Sequence, residues 1–445
     1  MRRYKRAGAL IAAGLMAVSG CSNTYYNSPA ATKAQESTKG EAEPTQEAIV
    51  TYTADPGQQG REPITEPQTE IEPQTEPEPE PVKKPELPEG GSVPTNIPVS
   101  SAIVDRLLGD SKGNVLYSPM SLDMALAMTW AGAGEELSGK FADYYGADRQ
   151  AYEEFAKYYI AGTGDTLKIA NSVWFRNGVT PKPAYEEAVK DYFNAECASR
   201  AFDDAFVTEV NDWCDAKTNG MIKQLLSEPP APETMTLLLN ALYFNGTWKE
   251  QYAEHQLGDA RFTDATGKEH TVYGMNSTED IYLQNDHATG FMKYYEGDRY
   301  AFVGILPNEK GDFSLEELDI PSLLKNKKYI DVTAMIPKFR FENTSVLTPM
   351  LSVMGLDAVR NGGLTEMIED DNNYISAIIQ KTVIDVNEKG TEAAAVTGVF
   401  VDCCALAESA TVYLDRPFAF LIYDTETDTV LFEGKVMLPD AAKQD

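Results

Sequence analysis

Apolar and polar positions change their spacing twice along this chain, and the changes divide it into three parts. Ala7 to Val18 is an uncharged, mostly apolar run. At twelve residues it is too short to cross a bilayer as a mature helix. From Ser22 to Thr95 apolar positions thin out and no period survives. Near Pro98 regular spacing returns, with Ile103, Val104, Leu107 and Leu108 at helical intervals. Ser118-Pro119-Met120-Ser121 then offers a capping serine and a first-turn proline ahead of an apolar stretch from Leu122 to Trp130, which predicts a second helix. Runs rich in β-branched and aromatic residues predict strands at Leu167 to Phe175, Thr236 to Phe244, Ala301 to Leu306, Tyr329 to Ile336, Lys381 to Val386 and Val430 to Met437. Helical pattern comes early and strand pattern late. That order predicts an α+β fold with antiparallel or mixed sheets, not alternating βαβ units.

Arg2, Arg3, Lys5 and Arg6 precede the first apolar run, which ends Val18-Ser19-Gly20-Cys21. A basic start and a short apolar core suit a secretory signal over residues 1–20. Small residues just before a cysteine resemble the bacterial lipobox. That resemblance implies a lipid-modified Cys21 as the new N-terminus, anchored to the extracellular face of a bacterial cell membrane. Two or three acyl chains anchor stably where one holds only marginally. A plain signal peptide with an incidental cysteine is the alternative. Residues 21–95 carry twelve prolines in repeats such as Glu76-Pro77-Glu78-Pro79-Glu80-Pro81. Proline removes donors and carboxylates repel, so a disordered, extended tether is expected ahead of one folded domain at 96–440.

Charge narrows the partners. The formal net charge is −31, from 69 acidic and 38 basic side chains. Fourteen acidic and five basic residues fall between Ser22 and Thr95, so the foldable part is strongly acidic as well. Such a surface repels phosphate and argues against a nucleic-acid partner. The five cysteines, Cys21, Cys197, Cys214, Cys403 and Cys404, show no metal or redox spacing, and His255, His270 and His287 have no nucleophile or ligand partner in sequence. Neither a hydrolase, a metal site nor a cofactor site is expected.

Six segments in order carry a resemblance. They are Asn114-Val115-Leu116-Tyr117-Ser118-Pro119-Met120-Ser121; Asn211-Asp212-Trp213 with Thr218-Asn219-Gly220-Met221-Ile222; Asn240-Ala241-Leu242-Tyr243-Phe244-Asn245-Gly246-Thr247-Trp248; Ile336-Pro337-Lys338-Phe339; Asp415-Arg416-Pro417-Phe418; and Leu431-Phe432-Glu433-Gly434-Lys435-Val436. Together they resemble the serpin family across about residues 97 to 440. The resemblance implies three β-sheets, eight or nine helices, and an exposed reactive-centre loop above a large central sheet. It also implies a monomer whose resting form is not its most stable one.

Glu388-Lys389-Gly390-Thr391-Glu392-Ala393-Ala394-Ala395-Val396-Thr397 resembles the hinge of inhibitory serpins. A segment that becomes a strand inside a sheet points every second side chain into the core. With Thr391 inward, so are Ala393, Ala395, Thr397, Val399, Val401 and Cys403, none of them charged or large. Glu392 and Asp402 fall on the outward face. A one-residue slip would bury both, at roughly several kcal/mol each if unpaired.

In the family the hinge glycine is usually the fifteenth residue back from the cut. Counted from Gly390, the reactive bond is Cys404–Ala405, give or take one residue. Its small flanks suit an elastase-like serine protease, extracellular and trapped covalently as an acyl-enzyme; subtilisin-like and papain-like cysteine proteases are the rivals. A non-inhibitory serpin acting as a binding protein is the other reading. Cys403 and Cys404 could also pair as a vicinal disulfide. For holding the central sheet closed the resemblance points to Ser118, Asn240, Lys293 and Gln380, with Glu388 as the partner of Lys293. Gln380 stands where many members carry histidine, so this position does not titrate near neutrality.

Overall fold

The computed structural model describes residues 96–109, 113–369, 374–391 and 408–440. The helices in chain order are α1 (Ile97–Leu108), α2 (Pro119–Ala131), α3 (Glu135–Tyr145), α4 (Arg149–Ala161), α5 (Pro183–Phe193), α6 (Asp204–Lys217) and α7 (Ile320–Lys325). The strands are β1 (Val115–Tyr117), β2 (Leu167–Arg176), β3 (Glu196–Arg200), β4 (Thr236–Phe244), β5 (Gly246–Thr247), β6 (Leu257–Thr263), β7 (Glu269–Gln284), β8 (Ala288–Tyr294) and β9 (Tyr300–Pro307). They continue with β10 (Lys327–Pro337), β11 (Phe339–Val346), β12 (Ala377–Val386), β13 (Gly390–Thr391), β14 (Ser409–Tyr413), β15 (Phe418–Asp424) and β16 (Thr429–Val436).

These strands form three sheets, as expected for the α+β class. Seven α-helices lie among the described residues, fewer than the eight or nine the resemblance implies. Four further turns wind as 3-10 helix instead. Two of them, at Thr348–Ser352 and Asp357–Arg360, flank Gly355, which has φ +71°. Around Pro349 the bonds run three residues back, as Met350 N–H to Leu347 and Val353 N–H to Met350. Windings this short, with a proline and a left-handed glycine, tighten rather than build an α ladder.

The five-stranded sheet runs β11-β12-β4-β2-β3 and is the centre of the molecule. β4 is buried along its whole length. Leu238, Leu242 and Phe244 face the main core, while Leu237, Leu239 and Ala241 pack under α6 with Trp174, Phe206 and Trp213. A strand covered on both faces reads as a continuous apolar run, which is how Thr236 to Phe244 reads. Asp203 starts α6 by accepting from the Phe206 N–H at 3.1 Å.

The central seam has an unusual property. β12 pairs with β11 and β4 pairs with β2, both antiparallel, but β12 and β4 pair parallel to each other over Ala377–Thr382 and Leu237–Leu242. Above Thr382, β12 runs on to Val386 with no strand pairing to β4 among the described residues. The nine-stranded sheet, β1-β16-β15-β9-β8-β7-β10-β14 with β6 on β7, packs against the core face. The third sheet is the two-residue ribbon of β13 and β5.

Candidate functional site: a latched seam and its hinge

Ser118 is the N-cap of α2, in extended backbone, and its Oγ accepts from the Ser121 N–H at 3.1 Å. The same hydroxyl donates to the Leu431 carbonyl of β16 at 2.6 Å. Gln380 reaches from β12 and closes a two-way bond with the Ser118 backbone. Its Oε1 accepts from Ser118 N–H at 2.9 Å and its Nε2 donates to Ser118 C=O at 2.8 Å. On β4, Asn240 lies directly opposite Gln380; its Oδ1 accepts from Ser121 Oγ. Its Nδ2 donates to Asn171 Oδ1 of β2 at 2.6 Å, and Asn171 donates to the Phe193 carbonyl at the end of α5 at 2.9 Å. All five side chains are buried. Buried polar groups are held firmly because leaving one unpaired costs more than the bond itself contributes. The network therefore latches both seam strands to α2.

Seven residues beyond Gln380, just past the end of β12, the chain turns back on itself. Asn387 and Gly390 form an antiparallel bridge around Glu388 and Lys389, and Gly390 and Thr391 also pair with Thr247 and Gly246. Gly390 has φ +148°, and a Cβ there would sit 2.1 Å from the Gly246 carbonyl oxygen. Only glycine fits this approach. Trp248 pins the turn through its Nε1–H to Asn387 C=O at 2.9 Å and its N–H to Lys389 C=O at 3.0 Å. Thr391 is 3% exposed, and its hydroxyl bonds the Tyr295 hydroxyl at 2.9 Å. The Tyr295 ring in turn stacks on Trp248 at 4.4 Å.

The structure thus brings Ser118, Asn240 and Gln380 into one network, and Glu388, Gly390 and Thr391 into one hinge. The pairing of Lys293 with Glu388 does not occur. Lys293 is buried on β8, where its Nζ meets Glu279 at 2.9 Å beneath the Trp248 and Tyr252 rings. Those two rings' own backbone N–H groups hold the hinge turn, so they lie between it and Lys293. Glu388 pairs instead with Lys338 at the β10–β11 junction, at 2.9 Å. Partial burial works to raise the Glu388 pKa, but the Lys338 hydrogen bond and nearby cations outweigh it and hold the group below its usual range. Both side chains are substantially exposed, so Lys338→Met is expected to change unfolding free energy by under about 1 kcal/mol in a urea titration.

Glu392, Ala393, Ala394, Ala395, Thr397, the Cys404–Ala405 bond and Cys21 lie outside the described residues. Cys403 lies outside them too, so the vicinal pair with Cys404 is not described. Of the described cysteines, Cys214 is buried on α6 and Cys197 half-buried on β3; burial pushes both thiols up to about 12, which suits packing rather than reactivity. His270 pairs with Asp264 at 2.7 Å in the β6–β7 hairpin, with no nucleophile bonded to its ring.

Sequence reading missed Ser121, Asn171, Trp248, Tyr295 and Lys338. Ser121, Trp248 and Lys338 sit inside the quoted motifs, where only their pattern was used. Asn171 and Tyr295 carry no local signal, because their partners lie 69 and 96 residues away.

A family model described as Serpin (serine protease inhibitor) matches residues 99–439. The chain belongs to the serpin family. It is 31% identical over 365 residues to an uncharacterized serpin-like protein of Methanosarcina mazei, covering 76% of this chain and 84% of that one. Leukocyte elastase inhibitor A of Mus musculus is 29% identical over 355 residues, covering 74% and 93%. Among solved structures, the thermophilic serpin tengpin in its native state superposes with a TM-score of 0.70 at 32% identity, covering 77% and 93%. Serpins are in general protease inhibitors, and some are non-inhibitory. In serpin terms, the latch and hinge of this chain lie at the two ends of one seam.

Proposed function

We propose that this serpin is a single-use trap for a serine protease, which cleaves the loop and is captured as the loop enters the central sheet. One observation carries the reading. Gln380 faces Asn240 across the seam, and Asn387 and Thr247 face the same Gly390; both pairs are 140 positions apart in the chain. The hinge is therefore already in register with both seam strands. Continued one residue at a time, an incoming strand sets Ala393 between Ile384 and Phe244, Ala395 between Thr382 and Leu242, and Thr397 between Gln380 and Asn240. Residues directly opposite in antiparallel pairs share a face. Thr391 and every second residue after it then point into the main core, and Glu392 points outward.

The same geometry supplies a driving force. Insertion exchanges one parallel seam for two antiparallel pairings, which are somewhat more stable per residue. About fourteen residues would enter, on the order of 45 Å of strand. The serpin contributes no catalytic group. The protease's own nucleophile forms the acyl-enzyme, and the refolding chain carries it away from the hinge before water completes hydrolysis.

The target class in this reading is elastase-like, supported by the small residues around Cys404–Ala405 and by the name of the mouse relative. The reading also places the protein outside a bacterial cell, held by a lipid on Cys21. Incubation of the full chain with pancreatic elastase should give an adduct that survives SDS, cut after Cys404. Faster capture of subtilisin or papain would move the target class. Cleavage with neither adduct nor gain in thermal stability would favour a non-inhibitory serpin.

A further inference from the structure

Six charged residues of the described chain are deeply buried, and five have an opposite partner. Lys293 has Glu279 at 2.9 Å, Asp424 has Arg299 at 2.8 Å, Lys435 has Asp312 at 2.7 Å and Glu153 has Arg149 at 3.4 Å. The sixth, Glu433 in the middle of β16, is 0% exposed and has none among the described residues. Its carboxyl is met by two consecutive residues of α1: Ser100 Oγ at one oxygen and Ser101 Oγ, at 2.6 Å, at the other. Both serines are buried too.

The surroundings make the negative charge worse, not better. On α1, Asp105 adds repulsion while its own oxygens take Ser314 Oγ at 2.7 Å and the Leu315 N–H at 3.1 Å. On β16 itself, Lys435 is committed to Asp312, the Phe313 carbonyl and the Phe313 ring. Across β1, Tyr117 is the register partner of Glu433 and lies within the field of Asp123 of α2 and Tyr144 of α3. From β15 the facing residue is Leu421. A buried carboxylate with only hydroxyl donors carries an uncompensated charge, and such groups neutralise by holding their proton.

We propose that Glu433 is a proton-operated clamp between α1 and β16. As the neutral acid it accepts from one serine, donates to the other and buries no charge; as the carboxylate it keeps both serine bonds but puts an uncompensated charge into the contact between helix and strand. The clamp is next to the latch: Glu433 faces Tyr117, the residue before Ser118, and Leu431, two positions along β16, accepts the Ser118 hydroxyl. This group therefore contributes more stability in acid than at neutrality, although Gln380 at the latch itself does not titrate. The clamp does not depend on protease capture.

Burial raises the Glu433 pKa to about 7, with Asp105 adding to it and the two serine bonds opposing. An unfolded glutamate releases its proton near 4.3. Between those values Glu433 holds its proton in the folded chain and not in the unfolded one, so its contribution to stability falls as pH rises from about 4.5 to about 7 and then levels. The limit is about tenfold in the folding equilibrium per pH unit. Urea midpoints of the full chain from pH 5 to 8 test this. The wild type should lose stability towards pH 7.5. Burial also raises the Asp123 pKa on α2 to about 7, so it contributes to the same fall, and Glu433→Gln and Glu433→Met should make the loss shallower by up to about tenfold per pH unit without abolishing it. Variants keeping the full wild-type slope would overturn the clamp, as would a wild type that gains stability over the same range. Should neither variant fold, amide exchange of α1 in the wild type decides. Protection corrected for intrinsic rates must fall between pH 5.5 and 7.5, and constant protection would overturn the proposal.

Discussion

Thr391→Arg should turn the proposed trap into an ordinary substrate. Thr391 follows the hinge glycine and is buried, opposite Gly246 and bonded to Tyr295. An arginine here can escape to solvent by releasing the two-residue ribbon. During insertion it has no such exit, because the strand that follows fixes its face. Burying an unpaired guanidinium costs roughly several kcal/mol. Capture is a race between insertion and deacylation, and each 1.4 kcal/mol added to the insertion barrier slows it about tenfold. The expected result is cleaved protein in place of adduct, with at least about a tenfold rise in the number of molecules consumed per protease captured. Thr391→Val keeps size and apolarity and should capture at near wild-type stoichiometry. A T391R protein that captures as well as wild type would remove the insertion scheme.

Gln380→Ala should be the most damaging single change at the latch. It strands the buried Ser118 N–H and leaves a cavity where an amide stood. An unsatisfied buried donor costs about 1–3 kcal/mol, and the missing side-chain volume adds to it. The combined loss should be about 2–4 kcal/mol, read as a lower urea midpoint. Because the lost bonds hold β12 to α2, the seam should also open more often. Incubation at moderate temperature should then yield a loop-inserted, inactive form faster than in wild type, resolved by its higher thermal stability. Gln380→Glu keeps the shape but replaces the donating amide with a carboxylate facing the Ser118 carbonyl. It should recover the latch only where the buried acid keeps its proton and donates to Ser118 C=O, and lose it as the pH rises and the group ionises.

What could be read from sequence follows physical rules. β4 was legible from Thr236 to Phe244 because a strand covered on both faces is apolar throughout. The α2 start was legible because Ser118 and Pro119 are local signals. β7 was not: sixteen residues including Glu269, His270, Asn276, Glu279 and Asp280 form the strand that joins β6, β8 and β10. It is ordered by its neighbours rather than by its own composition. The latch residues were found one at a time by resemblance. Their joining through Ser121 and Asn171 depends on pairs 119 and 69 positions apart. The Lys293 assignment failed for the same reason. Position near the hinge was inferable, but which carboxylate it meets is set by β7 lying beside it.

The order of strands after the loop has one more consequence. β15 lies between β9 and β16, and β16 between β15 and β1, both buried along their lengths. A nick between Cys404 and Ala405 would leave the C-terminal peptide woven through the opposite sheet by backbone bonds on either side. The severed protein should elute as one particle under native conditions and separate into two pieces only when denatured.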